Sequence, residues 1–140
     1  MSVAFNKFQQ FAENLAKGVH DFTSDGTSTI TVALCAVAPV ATNSVLADLT
    51  QVSYTNLSAR VLANVTAEHT TGTLKLDADD LVLTASGAVA TFRYIVLYDD
   101  DPVSPADPLI GWYDYGSSVT LANGETFTLQ FDAAGILTNV

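Results

Sequence analysis

One cysteine, Cys35, is all the chain has, so no disulfide can close within its 140 residues and the fold must hold by packing and hydrogen bonding alone. Fixed positive charge is nearly as scarce: Lys7, Lys17, Arg60, Lys75 and Arg93 stand against 15 carboxylates, for a formal charge of −10. Recognition of a phosphate backbone needs a row of cations, so direct nucleic-acid binding is not expected; an acidic surface favours basic partners instead. No run reaches the ~20 apolar residues of a membrane-spanning helix, although 49% of the residues are hydrophobic and only 14% charged. A chain this apolar implies packing inside one domain and also against a partner. The opening residues lack a basic-then-apolar leader pattern, so folding in a reducing cytoplasm is expected and the sequons at Asn56 and Asn64 go unread.

Motifs of catalysis are missing too. There is no Gly-x-Ser-x-Gly elbow, and Cys35 sits in an apolar strand-like run with no polar partner beside it, which makes it a small buried hydrophobe. His20 and His69 lie in polar, turn-rich surroundings and read as solvated loop histidines; with one distant cysteine they make no zinc site. Two acidic groups stand out, Asp77, Asp79 and Asp80, then Asp99, Asp100 and Asp101 with Asp107 nearby. Neither has the Asp-x-Asp-x-Asp-Gly spacing of a calcium loop, and acid runs commonly keep loops and strand edges solvated. No catalytic, cofactor or metal residue is therefore assigned, and the chain does not read as an enzyme. Trp112, Tyr113 and Tyr115 suit either core and interface anchors or the stacking platform of a carbohydrate-binding module; the first reading is preferred.

What the sequence does contain is strand pattern. Ala4, Phe5, Phe8, Phe11, Ala12, Leu15, Ala16 and Val19 form an apolar stripe at helical spacing, predicting an amphipathic helix over Val3–Lys17, capped by Ser2 and ended by Gly18. His20 to Ser28 reads as a linker. Strands are predicted at Thr29–Leu34, Ala59–Val65, Thr73–Leu76, Leu81–Thr84, Val89–Tyr98, Leu109–Tyr113, Val119–Leu121, Thr126–Phe131 and Ile136–Leu137, with a helical turn near Val45–Leu49. Asn123-Gly124 predicts a two-residue hairpin. Many short strands without crossover helices point to an all-β fold, an antiparallel, jelly-roll-like β-sandwich over 21–140 behind a helical arm at 1–20. The strand Val89–Tyr98 is apolar on both faces, so both need cover, from the helix or from another subunit. That favours a homo-oligomer, a dimer ahead of a trimer. The candidate partner interface combines the stripe residues Phe5, Phe8, Phe11 and Leu15 with Asp99, Asp100 and Asp101.

Three stretches together resemble the small capsid cement or decoration proteins of tailed bacteriophages. They are Phe5-Asn6-Lys7-Phe8 through Asn14-Leu15-Ala16-Lys17-Gly18-Val19-His20, then Ala38-Pro39-Val40 through Ala47-Asp48-Leu49, and finally Phe92–Tyr98 with Pro108-Leu109-Ile110-Gly111-Trp112-Tyr113-Asp114-Tyr115-Gly116-Ser117-Ser118 and Gly124-Glu125-Thr126-Phe127. Between about Gln51 and Thr71 the sequence departs from the pattern, where similar proteins carry a glycine-rich loop. The resemblance implies a β-sandwich on the capsid exterior that clamps neighbouring major capsid protein subunits, with no catalytic residues, after assembly in the host cytoplasm. A tail, neck or baseplate component satisfies the same residue features.

Overall fold

The computed structural model describes residues 3–22 and 29–139. Strand outweighs helix by 43% to 8%, and every pairing is antiparallel, so the chain is all-β. Among the described residues nine strands, β1 (Phe5–Lys7), β2 (Ile30–Cys35), β3 (Thr66–Thr70), β4 (Thr73–Asp77), β5 (Leu81–Thr84), β6 (Phe92–Asp99), β7 (Leu109–Val119), β8 (Thr126–Leu129) and β9 (Leu137–Asn139), accompany one short helix, α1 (Gln10–Ala16). They form three sheets, ordered β1-β7-β6-β2, β3-β4-β9 and β5-β8.

The four-stranded sheet organises the rest. In β2, Ile30, Val32 and Leu34 alternate with Ala33 and Cys35, and β-strand geometry sends the two sets to opposite faces. The first set joins the main core with Ile95 and Leu97 of β6. The second joins a smaller cluster with Val96, Tyr98, Leu109 and Phe8. Where Leu97 faces Gly111 but Tyr98 faces Leu109, Ile110 is the extra residue of a bulge, and it turns into the main core while Leu109 enters the second cluster.

The second face is covered from within the chain. Phe8 is buried there with its ring 4.6 Å from that of Trp112, and Leu46 and Leu49, around the 3-10 turn Leu46–Asp48, pack beside it. Burial of both faces of β6, expected from its pattern, is thus met by residues of the same chain.

Four further expectations change. The predicted helix Val3–Lys17 is split: Phe5–Lys7 pairs with β7, Phe5 opposite Tyr113 and Lys7 opposite Gly111, and the helix starts only at Gln10. A Cβ on Gly111 would lie 2.3 Å from the Phe5 ring and 2.6 Å from the Asn6 carbonyl, so glycine there is what lets β1 approach. The helix does end as expected, with the Gly18 N–H on the Leu15 carbonyl, whereas Ser2 lies outside the described residues. Ala59–Val65 is not a ladder strand; it runs along the free side of β2, with Val32 N–H on Arg60 and Leu62 N–H on Ile30. The strand that sequence pattern missed, β3, is almost wholly exposed and so carries no apolar alternation. Finally, Asn123-Gly124 does form a turn, Gly124 at φ +84, but β8 pairs with β5, not with the strand before it, because Phe127 and Leu129 pack with Leu83 in the main core.

Burial pushes the Cys35 thiol up to about 11, as desolvation disfavours a thiolate. A thiol reagent at pH 8 should leave the native protein unmodified and label it fully in denaturant; rapid native labelling would show that the second cluster is open.

Candidate functional site

The acidic turn that follows β6 is where the sequence placed part of a partner surface, and its backbone is firmly held. Asp99 N–H donates to the Pro108 carbonyl at 3.0 Å, Asp100 N–H to Thr29 at 2.9 Å, and Leu46 N–H to the Asp107 carbonyl at 2.9 Å. Between these ties, Val103 and Ala106 form a bridge and leave the Val103 side chain 87% exposed.

The three aspartates do not act together. Asp100 and Asp101 are exposed, as expected of a partner surface. Asp99 is buried, its carboxylate 2.8 Å from Nδ1 of His20, and both side chains are fully enclosed. Its other oxygen accepts the Asp101 N–H at 3.3 Å. The expectation of a solvated His20 is therefore overturned: the ring stacks on Phe22 and lies beside Phe11, each at 5.3 Å. The nearby Phe11, Leu15 and Val19 stripe carried the only sequence signal for this, since an apolar stripe running to residue 20 draws the histidine inward with it. Asp99 gave none, because acid runs look alike whichever member turns inward.

Asp107 stands at φ +49, and partial burial, together with the neighbouring Asp100, pushes its carboxyl above the usual carboxylate range. The stripe residues also point inward. Phe8 and Phe11 are buried, Phe5 is half-buried against Tyr113 at 5.0 Å, and Leu15 is half-buried. Of the seven residues proposed as an interface, then, Asp100 and Asp101 stand on open surface.

The other sequence candidates separate. Trp112 packs on Phe8, Tyr113 is buried beside Phe5 and Phe131, and Tyr115 meets Phe127 edge-on, so the three rings share no stacking platform. Asp77 pairs with Lys75 at 3.2 Å, Asp79 accepts from Asn64 at 2.6 Å, and Asp80 accepts the Phe131 N–H at 2.9 Å. Asp79 and Asp80 thereby tie loops to distant segments, whereas Asp77 pairs within its own strand. Among the described residues no group of three or more His, Cys, Asp and Glu side chains is arranged to hold a metal ion. Arg93 and Asp114 form a two-point pair, at 2.8 and 3.1 Å, that ties β6 to β7 and holds the Asp114 carboxyl below its ordinary range. No protein-family model matches this sequence, and no curated protein or solved structure matches it either.

Two outcomes follow from this geometry. His20→Ala removes one hydrogen-bond partner of the buried Asp99 carboxyl and should cost about 1–3 kcal/mol of unfolding free energy; Asp100→Ala and Asp101→Ala should each stay within about 0.5 kcal/mol, all read by urea denaturation. Asp107→Asn keeps the shape and removes a charge that the fold disfavours. Because the folded-state pKa is raised, the ionised form is penalised above the usual carboxylate range, and the penalty vanishes below it where both states are protonated. The variant should melt higher than the parent at pH 7 and together with it at pH 3; the reverse ordering would refute a disfavoured charge.

Proposed function

We propose that this chain is a structural protein of a tailed-phage virion, a jelly-roll-like β-sandwich that decorates the capsid exterior and binds between major capsid protein subunits. The observation that carries the reading is spatial. The three stretches that resemble cement proteins, far apart in sequence, meet around one cluster. Phe8 comes from the first, Leu46 and Leu49 from the second, and Val96, Tyr98, Leu109 and Trp112 from the third.

Their backbones are joined as well: Phe8 N–H to Ile110 at 3.2 Å, Gln9 N–H to Ala41 at 3.0 Å, and Leu109 N–H to Ser44 at 3.0 Å. Val45 and Pro108 form a bridge between the second and third. The stretch that departs from the pattern, about Gln51 to Thr71, runs along β2, where Gln51 bridges Cys35 of the same cluster, and into the exposed strand β3. The same properties fit a tail, neck or baseplate component, and the experiment below separates the two. Carbohydrate binding through Trp112 is not supported, since that ring is engaged with Phe8.

A clamp that binds only the assembled lattice stabilises it by RT ln(1 + [L]/Kd), about 2.7 kcal/mol per site at a hundredfold excess over Kd. With the stripe turned inward, the exposed Asp100 and Asp101 are the members of the candidate interface left to meet basic capsid residues, an attraction that weakens with salt. DNA-filled heads stripped of the protein should release DNA at lower temperature than complete heads, and adding it back should restore them. The double variant Asp100→Lys/Asp101→Lys should restore them poorly at low salt. Equal heat resistance of stripped and complete heads would remove cementing and leave attachment elsewhere on the particle.

A further inference from the structure

We infer that residues 3–22 form a strap that opens as a unit from an otherwise intact β body, exchanging its internal contacts for solvent or for a partner. Four cavities border this one segment. One of about 460 Å3 lies along Val3, Ala4 and Phe5 beside Tyr113 and the 130–138 stretch. Another, about 250 Å3, is lined by strap residues alone, among them Lys7, Phe8, Phe11 and Leu15. A third, about 280 Å3, separates Leu15, His20 and Phe22 from Ala67, Leu74 and Leu137, and the last, about 380 Å3, separates Asn14, Lys17 and Val19 from Val45, Ser104 and Pro105. Phe8, Phe11, Asn14 and His20 are buried, but these pockets open at the borders of the segment, where dispersion contacts with the body are lost.

The polar bookkeeping agrees. Among the described residues three buried side-chain atoms have no hydrogen-bond partner; two of them, Asn14 Nδ2 and His20 Nε2, lie in the strap, and the third, Thr31 Oγ1, in β2. A buried unsatisfied group carries its desolvation cost in full, and opening the strap returns its two to water. The helix is only seven residues long, has no side-chain cap and is too short to persist by itself. What retains the strap is a set of separate attachments: β1 on β7 over Gly111, Phe8 N–H on Ile110 and Gln9 N–H on Ala41, Phe8 on Trp112, Phe11 in the main core, and His20 on Asp99. By contrast β2 and β6 are joined along six consecutive residue pairs, and every residue of β2 is buried. Segments with few attachments and nearby voids open sub-globally, below the free energy of complete unfolding. Opening releases Phe8, Phe11 and Leu15 together, the apolar stripe that the closed form conceals.

Native-state hydrogen exchange on the full chain tests this. The amides of Phe8, Phe11, Lys17, Gly18 and Val19, which are bonded to backbone carbonyls in the closed form, should exchange as one group. Their protection should be roughly a hundredfold lower than that of Val32 and Leu62, which tie β2 to its neighbouring segment. Asn14→Leu removes an unsatisfied buried donor and should raise protection of the strap group several-fold while leaving that of Val32 unchanged. If the strap amides exchange at the rate of Val32 and Leu62, or if Asn14→Leu shifts both groups equally, the strap belongs to the cooperative core and the inference fails.

Discussion

Two-sided burial of the β2–β6 pair is the constraint on which the other elements depend. Ile30 to Cys35 and Ile95 to Asp99 are buried without a break, so side chains on both faces of these strands must find apolar neighbours. A main core on one side uses strands from all three sheets. The other side is too small for another sheet, and single residues from distant segments fill it: Phe8, Leu46, Leu49 and Trp112. The positions of the N-terminal strand and of the 38–49 loop follow from that requirement. Each is placed by the apolar residue it contributes, and backbone hydrogen bonds to β7 and its approach then fix its path.

The acidic character of the chain is distributed with the same economy. Arg93, Lys75 and Lys17 are each paired with a carboxylate, and Arg60 lies over the Tyr54 ring while donating to the Val32 carbonyl. Asp48 accepts the Ser44 and Val45 N–H groups and thereby shapes the turn that carries Leu46 and Leu49. Most of the fixed cations are spent inside the chain, which leaves a surface dominated by carboxylates such as Asp100, Asp101 and Glu68. A surface of that sign steers basic partners and repels polyanions.

Much of the fold was legible because its strands alternate. Ile30–Cys35 and Phe92–Asp99 announce themselves by β-branched and aromatic residues at every second position, and the doubly apolar β6 correctly demanded cover on both sides. The source of that cover was not legible, since a stripe such as Phe5, Phe8, Phe11 and Leu15 has the same spacing whether it docks on another molecule or folds back. Phe5 to Lys7 also satisfies a helical stripe and a strand equally well, and pairing with β7 decided for strand. The candidate surface was half legible for a related reason. Nothing in Asp99-Asp100-Asp101 distinguishes the member that ends β6 facing His20 from the two that continue into solvent. Sheet membership was invisible too, because β8 follows a turn yet completes a ladder with β5.

The pairing of β1 with β7 bears on how the molecule is made. Phe5 meets Tyr113 across more than a hundred residues, and β2 reaches β6 across some sixty. Closing such loops sacrifices chain entropy before any contact rewards it, which slows folding relative to a topology of local hairpins. During synthesis the apolar segment Ile30–Cys35 leaves the ribosome well before Phe92–Asp99, and it must wait without its partner. The N-terminal strand waits longer still, until β7 has emerged. Until then the chain displays the strand that will later be most deeply enclosed, and its folding is in competition with aggregation until β6 and β7 have emerged.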